Sequence, residues 1–123
     1  MKRTLLALVA VAVLLVPAPA RAKVTSQFGI SIQSCVVNNN GSGQTNGINV
    51  VYYNTHPSPA TEVDFLVRYH YHRAVLTDRG TFTQGSQINH NLTNGMVGYT
   101  WQGADPYVCS VQRVVLQNGK VFQ

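Results

Sequence analysis

The side chains best suited to chemistry crowd into one stretch, Glu62 to His72, EVDFLVRYHYH. Successive side chains on a strand point to opposite faces. Read as a strand, the stretch puts His70 and His72 on the same side as Glu62, Asp64 and Arg68. Two neutral imidazoles at i and i+2 could reach one zinc or copper ion. Such a site needs a third ligand, for which His90, His56, Asp64 and Glu62 are the candidates. Without one, His70 and His72 are exposed polar groups on a wet sheet face. Glu62 and Asp64 are also a carboxylate pair, and such pairs serve hydrolysis where a cleft fixes their separation. On an open strand that also carries Arg68, cross-strand ion pairing is the expectation instead. The chain has no Gly-x-Ser-x-Gly, His-Glu-x-x-His or phosphate-cradling glycine loop.

A second set is aromatic: Tyr52, Tyr53, Tyr69, Tyr71, Tyr99, Trp101 and Tyr107. Such rings could stack on sugars or peptides. Alternation buries one of each neighbouring pair, so core packing is their default role.

These groups need a scaffold, and the period-two pattern supplies it. Opposite the charged side lie Val63, Phe65, Val67, Tyr69 and Tyr71. That predicts a long interior strand over Glu62–His72 with one buried and one wet face, and so an antiparallel sheet. Ile30–Val37 reads as an earlier strand in which Ile30 and Ile32 share parity with Ser34, opposite Cys35 and Val37. Ile48–Asn54 is the next strand. Asn38–Gly47 between them has no apolar residue and reads as a flexible loop. His56-Pro57-Ser58-Pro59 is a stiff loop. Arg73–Asp78 reads as a short strand or bend, Asp78-Arg79-Gly80 as a turn and Thr81–Thr83 as a short strand. Gln87–Leu92 places Ile88, His90 and Leu92 on one face. Met96–Trp101 and Tyr107–Leu116 are further strands. Asn118-Gly119 suits a type I′ hairpin, returning the chain to Val121–Phe122. Seven or so short strands at this spacing predict an all-β antiparallel sandwich, with a small β-barrel as the alternative.

The first residues are not fold. Lys2 and Arg3 precede an apolar run over Leu5–Val16, ended by Pro17. Ala18-Pro19-Ala20 and Ala20-Arg21-Ala22 both fit a small-x-small cleavage pattern. We read 1–22 as a signal peptide and 23–123 as one domain. The run is well short of the roughly twenty residues that span a bilayer, and no second apolar span follows, so no membrane span remains after cleavage. The chain holds nine Lys plus Arg against four Asp plus Glu. Lys2, Arg3 and Arg21 leave with the signal, so six cations face four anions. The remaining cations are scattered, which sets nucleic acid aside. The two cysteines, Cys35 and Cys109, form no Cys-x-x-Cys and read as one disulfide of an exported protein. Asn40-Gly41-Ser42 and Asn91-Leu92-Thr93 fit a glycosylation pattern, but the signal is of bacterial type and the sequons are given no role.

INVVYYNTHPSPATEVDFLVRY, from Ile48 to Tyr69, resembles a strand–loop–strand unit of bacterial immunoglobulin-like or fibronectin type III-like domains. The likeness covers about a quarter of the mature chain and rests on pattern. It departs from antibody-type domains in Trp101, which lies late in the chain. The resemblance implies an immunoglobulin-like sandwich and an adhesion, spacer, chaperone or accessory role, and carries no catalytic residue. The expectation is therefore a secreted or periplasmic, non-catalytic binding or accessory module. Its partner would be a protein or glycan at the cell envelope, and no cofactor is implied. The alternative is a periplasmic metal-binding protein using His70 and His72.

Overall fold

A computed structural model describes residues 22–39, 45–69, 72–94 and 105–123. Residues 1–21 of the segment read as a signal peptide, Asn40–Ser42, His70, Tyr71, Tyr99, Trp101 and the strand expected over Met96–Trp101 lie outside the described residues. The strands are β1 (Lys23–Thr25), β2 (Ile30–Asn39), β3 (Thr45–Asn54), β4 (Ala60–Arg68), β5 (Arg73–Phe82), β6 (Gln87–Leu92), β7 (Val108–Leu116) and β8 (Val121–Phe122). They form two sheets. Sheet A runs β1–β7–β4–β5, with β8 also on β7; sheet B runs β2–β3–β6. Every pair is antiparallel except β1 with β7. This is an all-β sandwich of two sheets, and among the described residues the two ladders stay separate instead of closing into a barrel.

Alternation builds the core. Val63, Phe65 and Val67 of β4 are fully buried against Tyr52, Val50 and Ile48 of β3 and Val111 and Val114 of β7. Each such side chain contributes roughly 1.5–3 kcal/mol by leaving water. The Tyr52 ring meets Phe65 edge-on at 5.0 Å and Phe82 at 5.8 Å. A disulfide joins Cys35 of β2 to Cys109 of β7, tying sheet B to sheet A.

Several sequence expectations are corrected. β4 ends at Arg68, not His72. Arg68 already pairs with Arg73, and the Tyr69 N–H donates to the His72 carbonyl (2.7 Å), so the chain reverses there. β5 runs unbroken through Asp78-Arg79-Gly80, where a turn was expected. Asp78 is drawn into the core by polar partners, Arg79 pairs across to Glu62, and the irregularity shrinks to a bulge opposite Ala60–Glu62. In β2 a bulge between Ile32 and Ser34 resets the parity, so Ile30, Ile32, Cys35 and Val37 are all buried. Lys23–Thr25, ahead of the first strand expected, forms β1, and Thr45–Gly47 of the expected loop belongs to β3. The last hairpin is not type I′. The Gly119 N–H donates to Leu116 O (3.0 Å), and Gly119 alone of its loop has positive φ (91°), a three-residue loop with a left-handed glycine.

Two of the edge strands, β2 and β5, carry side-chain plugs. Ser26 Oγ accepts from the Ile32 N–H (2.9 Å) and Asp105 Oδ1 from the Val37 N–H (2.9 Å), both on β2. On β5, Asn94 accepts from Thr77 N–H and donates to Thr77 O, each at 2.6 Å. These plugs leave less ladder for another strand to join. At one end, Phe28 (φ 55°) and Gly29 (φ 75°) turn the chain between Gln27 and Ile30. The His56 ring packs so closely on Gly29 that a Cβ there would collide with it.

Candidate functional site

The charged side of β4 behaves as the sequence suggested for ion pairing, with different partners. Glu62 lies opposite Arg79 of β5 and Val115 of β7. Its Oε1 accepts from Arg79 Nε (3.0 Å) and its Oε2 from Arg113 Nη1 (2.5 Å). Asp64, between Thr77 and Arg113 in register, has one oxygen, Oδ1, shut away from solvent without a hydrogen bond. Burial is the main reason its carboxyl sits above the usual carboxylate range. The Glu62 charge adds to that, while Thr77, Arg113 and Arg79 pull the other way. The pair lies on an open sheet face beside bound arginines, an arrangement suited to holding strands together.

The histidines fall on different elements. His56 is in the loop after β3, where its Nε2 lies 2.6 Å from Phe28 O and its ring stacks on Phe122 (4.8 Å). His72 is exposed at the start of the β5 arm. β4 ends at Arg68, ahead of both histidines expected to share its face, and His70 lies outside the described residues. Among the described residues no three His, Cys, Asp or Glu side chains come close enough to hold a metal ion. His90, on β6, faces Asp78 of β5, its Nδ1 2.7 Å from Oδ2. The same oxygen accepts the Tyr52 hydroxyl proton (2.8 Å). Burial first, then the Asp78 charge and hydrogen bond, push the Tyr52 hydroxyl pKa well up. Asp78 is 5 % exposed and bonds two strands of the opposite sheet, so it acts as a polar clamp between the layers. Sequence reading saw His90 as a possible ligand and missed this clamp, because nothing local ties residue 78 to residues 52 and 90.

The aromatic set divides as alternation requires. Tyr52 is fully buried while its neighbour Tyr53 is half-buried on the outer face of sheet B. The Tyr53 hydroxyl accepts from Gln87 Nε2 (3.0 Å), which fixes the ring against the sheet. Beside it a shallow cavity of about 410 Å³ is lined by Ser31, Tyr53, Asn54, Thr55, Gln84 and Gly85. Gly85 has nothing within 4 Å of where a Cβ would stand, so the cavity is open on that side. Register extends this surface into rows: Ser31, Tyr53 and Gln87; Ser34, Val51 and Asn89; Val36, Asn49 and Asn91. No Asp, Glu, Lys or Arg occurs anywhere on β2, β3 or β6. Of the ten charged residues from Lys23 onward, eight are in sheet A strands: Lys23, Glu62, Asp64, Arg68, Arg73, Asp78, Arg79 and Arg113. Asp105 and Lys120 are in loops. Apart from Tyr53, sequence reading gave none of these row residues a binding role: Ser34 entered only through strand parity and Asn91 only as a sequon given no role. The missing charge was readable strand by strand, but not that the three uncharged strands share a sheet.

No family model matches the chain, and neither a curated protein nor a solved structure does.

Proposed function

We propose that this chain is an exported, non-catalytic β-sandwich that binds a component of the cell envelope through an open sheet face. The observation that carries the reading is the outer face of sheet B, a continuous uncharged surface of amides and hydroxyls around a fixed tyrosine ring. Export through the 1–22 leader is part of the proposal. It is supported by the Cys35–Cys109 disulfide, which persists in oxidising compartments, and no helix among the described residues is long and apolar enough to cross a membrane. Glu62, the acid best placed on sheet A, is already held by two arginines, so it serves the strands.

The test uses exported, oxidised protein, whose intact mass should place its start near Lys23. It is immobilised and exposed separately to the protein and the polysaccharide fractions of an envelope extract. Saturable binding to one fraction, lost in Val51→Asp at an unchanged melting temperature, is the expected result. Absence of saturable binding to both fractions contradicts the proposal, as does binding that Val51→Asp leaves intact. Zinc binding lost on His72→Ala, without envelope binding, would put the metal-binding alternative in its place.

A further inference from the structure

We infer that the ligand of the sheet B face is a neutral glycan, seated on Tyr53 and spreading over the rows of Ser34, Val51 and Asn89. The inference rests on the binding reading above and narrows it to one ligand chemistry.

Charge is the first reason. A surface whose three strands hold no Asp, Glu, Lys or Arg, and whose one histidine, His90, is turned to Asp78 of the opposite sheet, offers little to phosphate, uronate or an anionic lipid head group, all of which are drawn by cations. It also imposes no repulsion on an uncharged polymer. The second reason is hydrogen-bond type. A sugar hydroxyl both donates and accepts, and so do a side-chain amide and a serine hydroxyl. Ser31, Ser34, Asn49, Gln87 and Asn89 are of this kind, in adjacent strands about 4.8 Å apart. The third reason is the ring. An aromatic face carries negative charge density and its partners prefer to bring positive edges to it. The axial C–H bonds of a pyranose form such an edge. The Gln87 hydrogen bond holds the Tyr53 ring in place before any ligand arrives, which lowers the ordering cost of binding. The cavity beside the ring, about 410 Å³, falls in the span of roughly 300–1,000 Å³ usual for small-ligand sites.

A peptide fits less well. Extended peptides add to sheet edges through the backbone, and on β2 the Ile32 and Val37 N–H groups are already taken by Ser26 and Asp105. A second copy would want an apolar patch, and the rows named above hold only two valines, Val36 and Val51.

The exported protein is run by affinity electrophoresis through gels containing a soluble β-glucan, a galactomannan, a dextran or polygalacturonate. At least one neutral polymer should retard it, with little change in roughly 1 M salt, where the screening length is about 3 Å. Tyr53→Ala should weaken the retardation roughly tenfold, the loss of about one stacking contact. Asn89→Glu, at an exposed position, should weaken it comparably with the melting temperature unchanged, which guards against a folding defect in Tyr53→Ala. Retardation by polygalacturonate alone, abolished by salt, would overturn the inference. So would neutral-polymer binding indifferent to both substitutions. If every polymer fails while the protein fraction of the envelope is bound through Val51, the glycan is wrong and the binding module stands. If both fail, both readings fall.

Discussion

The two outer faces of this sandwich are made by the same period-two alternation and from opposite chemistry. On sheet A, Glu62 is gripped by Arg79 and Arg113, and Asp64 sits beside them partly dehydrated. Charges there are spent on one another across β5, β4 and β7. On sheet B the rows of Ser, Asn, Gln and Tyr carry no charge, and each amide keeps donors and acceptors that a single internal bond does not exhaust. If the proposed function holds, the difference teaches that titratable residues are a poor guide to this molecule's binding surface. On the face richest in acids and bases the best-placed acid, Glu62, is held by two arginines, and the proposed function rests on the face without Asp, Glu, Lys or Arg.

The comparison can be strained hardest where the faces are held together. Replacing both cysteines by Ala removes the one covalent link between the sheets. The chain-entropy model for a loop of 74 residues gives a loss of about 4–5 kcal/mol as an upper figure, read from urea unfolding. Phe65→Ala, between the sheets, should cost about 3–5 kcal/mol. Val51→Ala, on the sheet B outer face, should stay within about 0.5 kcal/mol. Equal losses would mean the Val51 side is a packed interior and not an open face.

The polar clamp ranks next. Asp78→Ala leaves the buried Tyr52 hydroxyl without its acceptor and should cost about 1–3 kcal/mol. Adding Tyr52→Phe removes the stranded donor and should recover part of the loss, so a double-mutant cycle that adds without coupling would remove the clamp from the account.

Asp64→Asn should have the smallest effect, and its sign is set by burial. Because the folded state holds the carboxyl above its ordinary value near 3.9, the fold favours the neutral acid. The wild type is therefore stabilised in acid, below the unfolded pKa, and loses that stabilisation as pH rises through the raised folded value. The variant should be slightly more stable than wild type at neutral pH, with the gap closing in acid. Melting curves across that range check it. A gap that widens in acid would mean Asp64 is held as the anion.

Much of the fold was legible and most of the candidate site was not. Phe65 and Val67 were readable as core because parity is a local property, and the Cys35–Cys109 pairing followed from there being two cysteines in a chain whose first residues read as an export signal. The end of β4 was not, since the alternating pattern runs on past Arg68 while the strand ends there and Arg68 pairs with Arg73. Nor was the β2 bulge, which moved Cys35 and Val37 into the same buried layer as Ile30 and Ile32. The Asp78 clamp and the sheet B rows depend on which strands become neighbours. That is a long-range pairing which one strand's composition does not encode.

The most direct test of the central claim is backbone and side-chain chemical-shift mapping of the oxidised, isotope-labelled protein, titrated with a neutral polysaccharide found to retard it. The account predicts shifts at Ser31, Val51, Tyr53, Gln87 and Asn89 on sheet B, with Glu62, Asp64, Arg79 and Arg113 on sheet A unmoved. Shifts concentrated on the sheet A charges, or at the Tyr69–His72 turn, with sheet B silent, would contradict it.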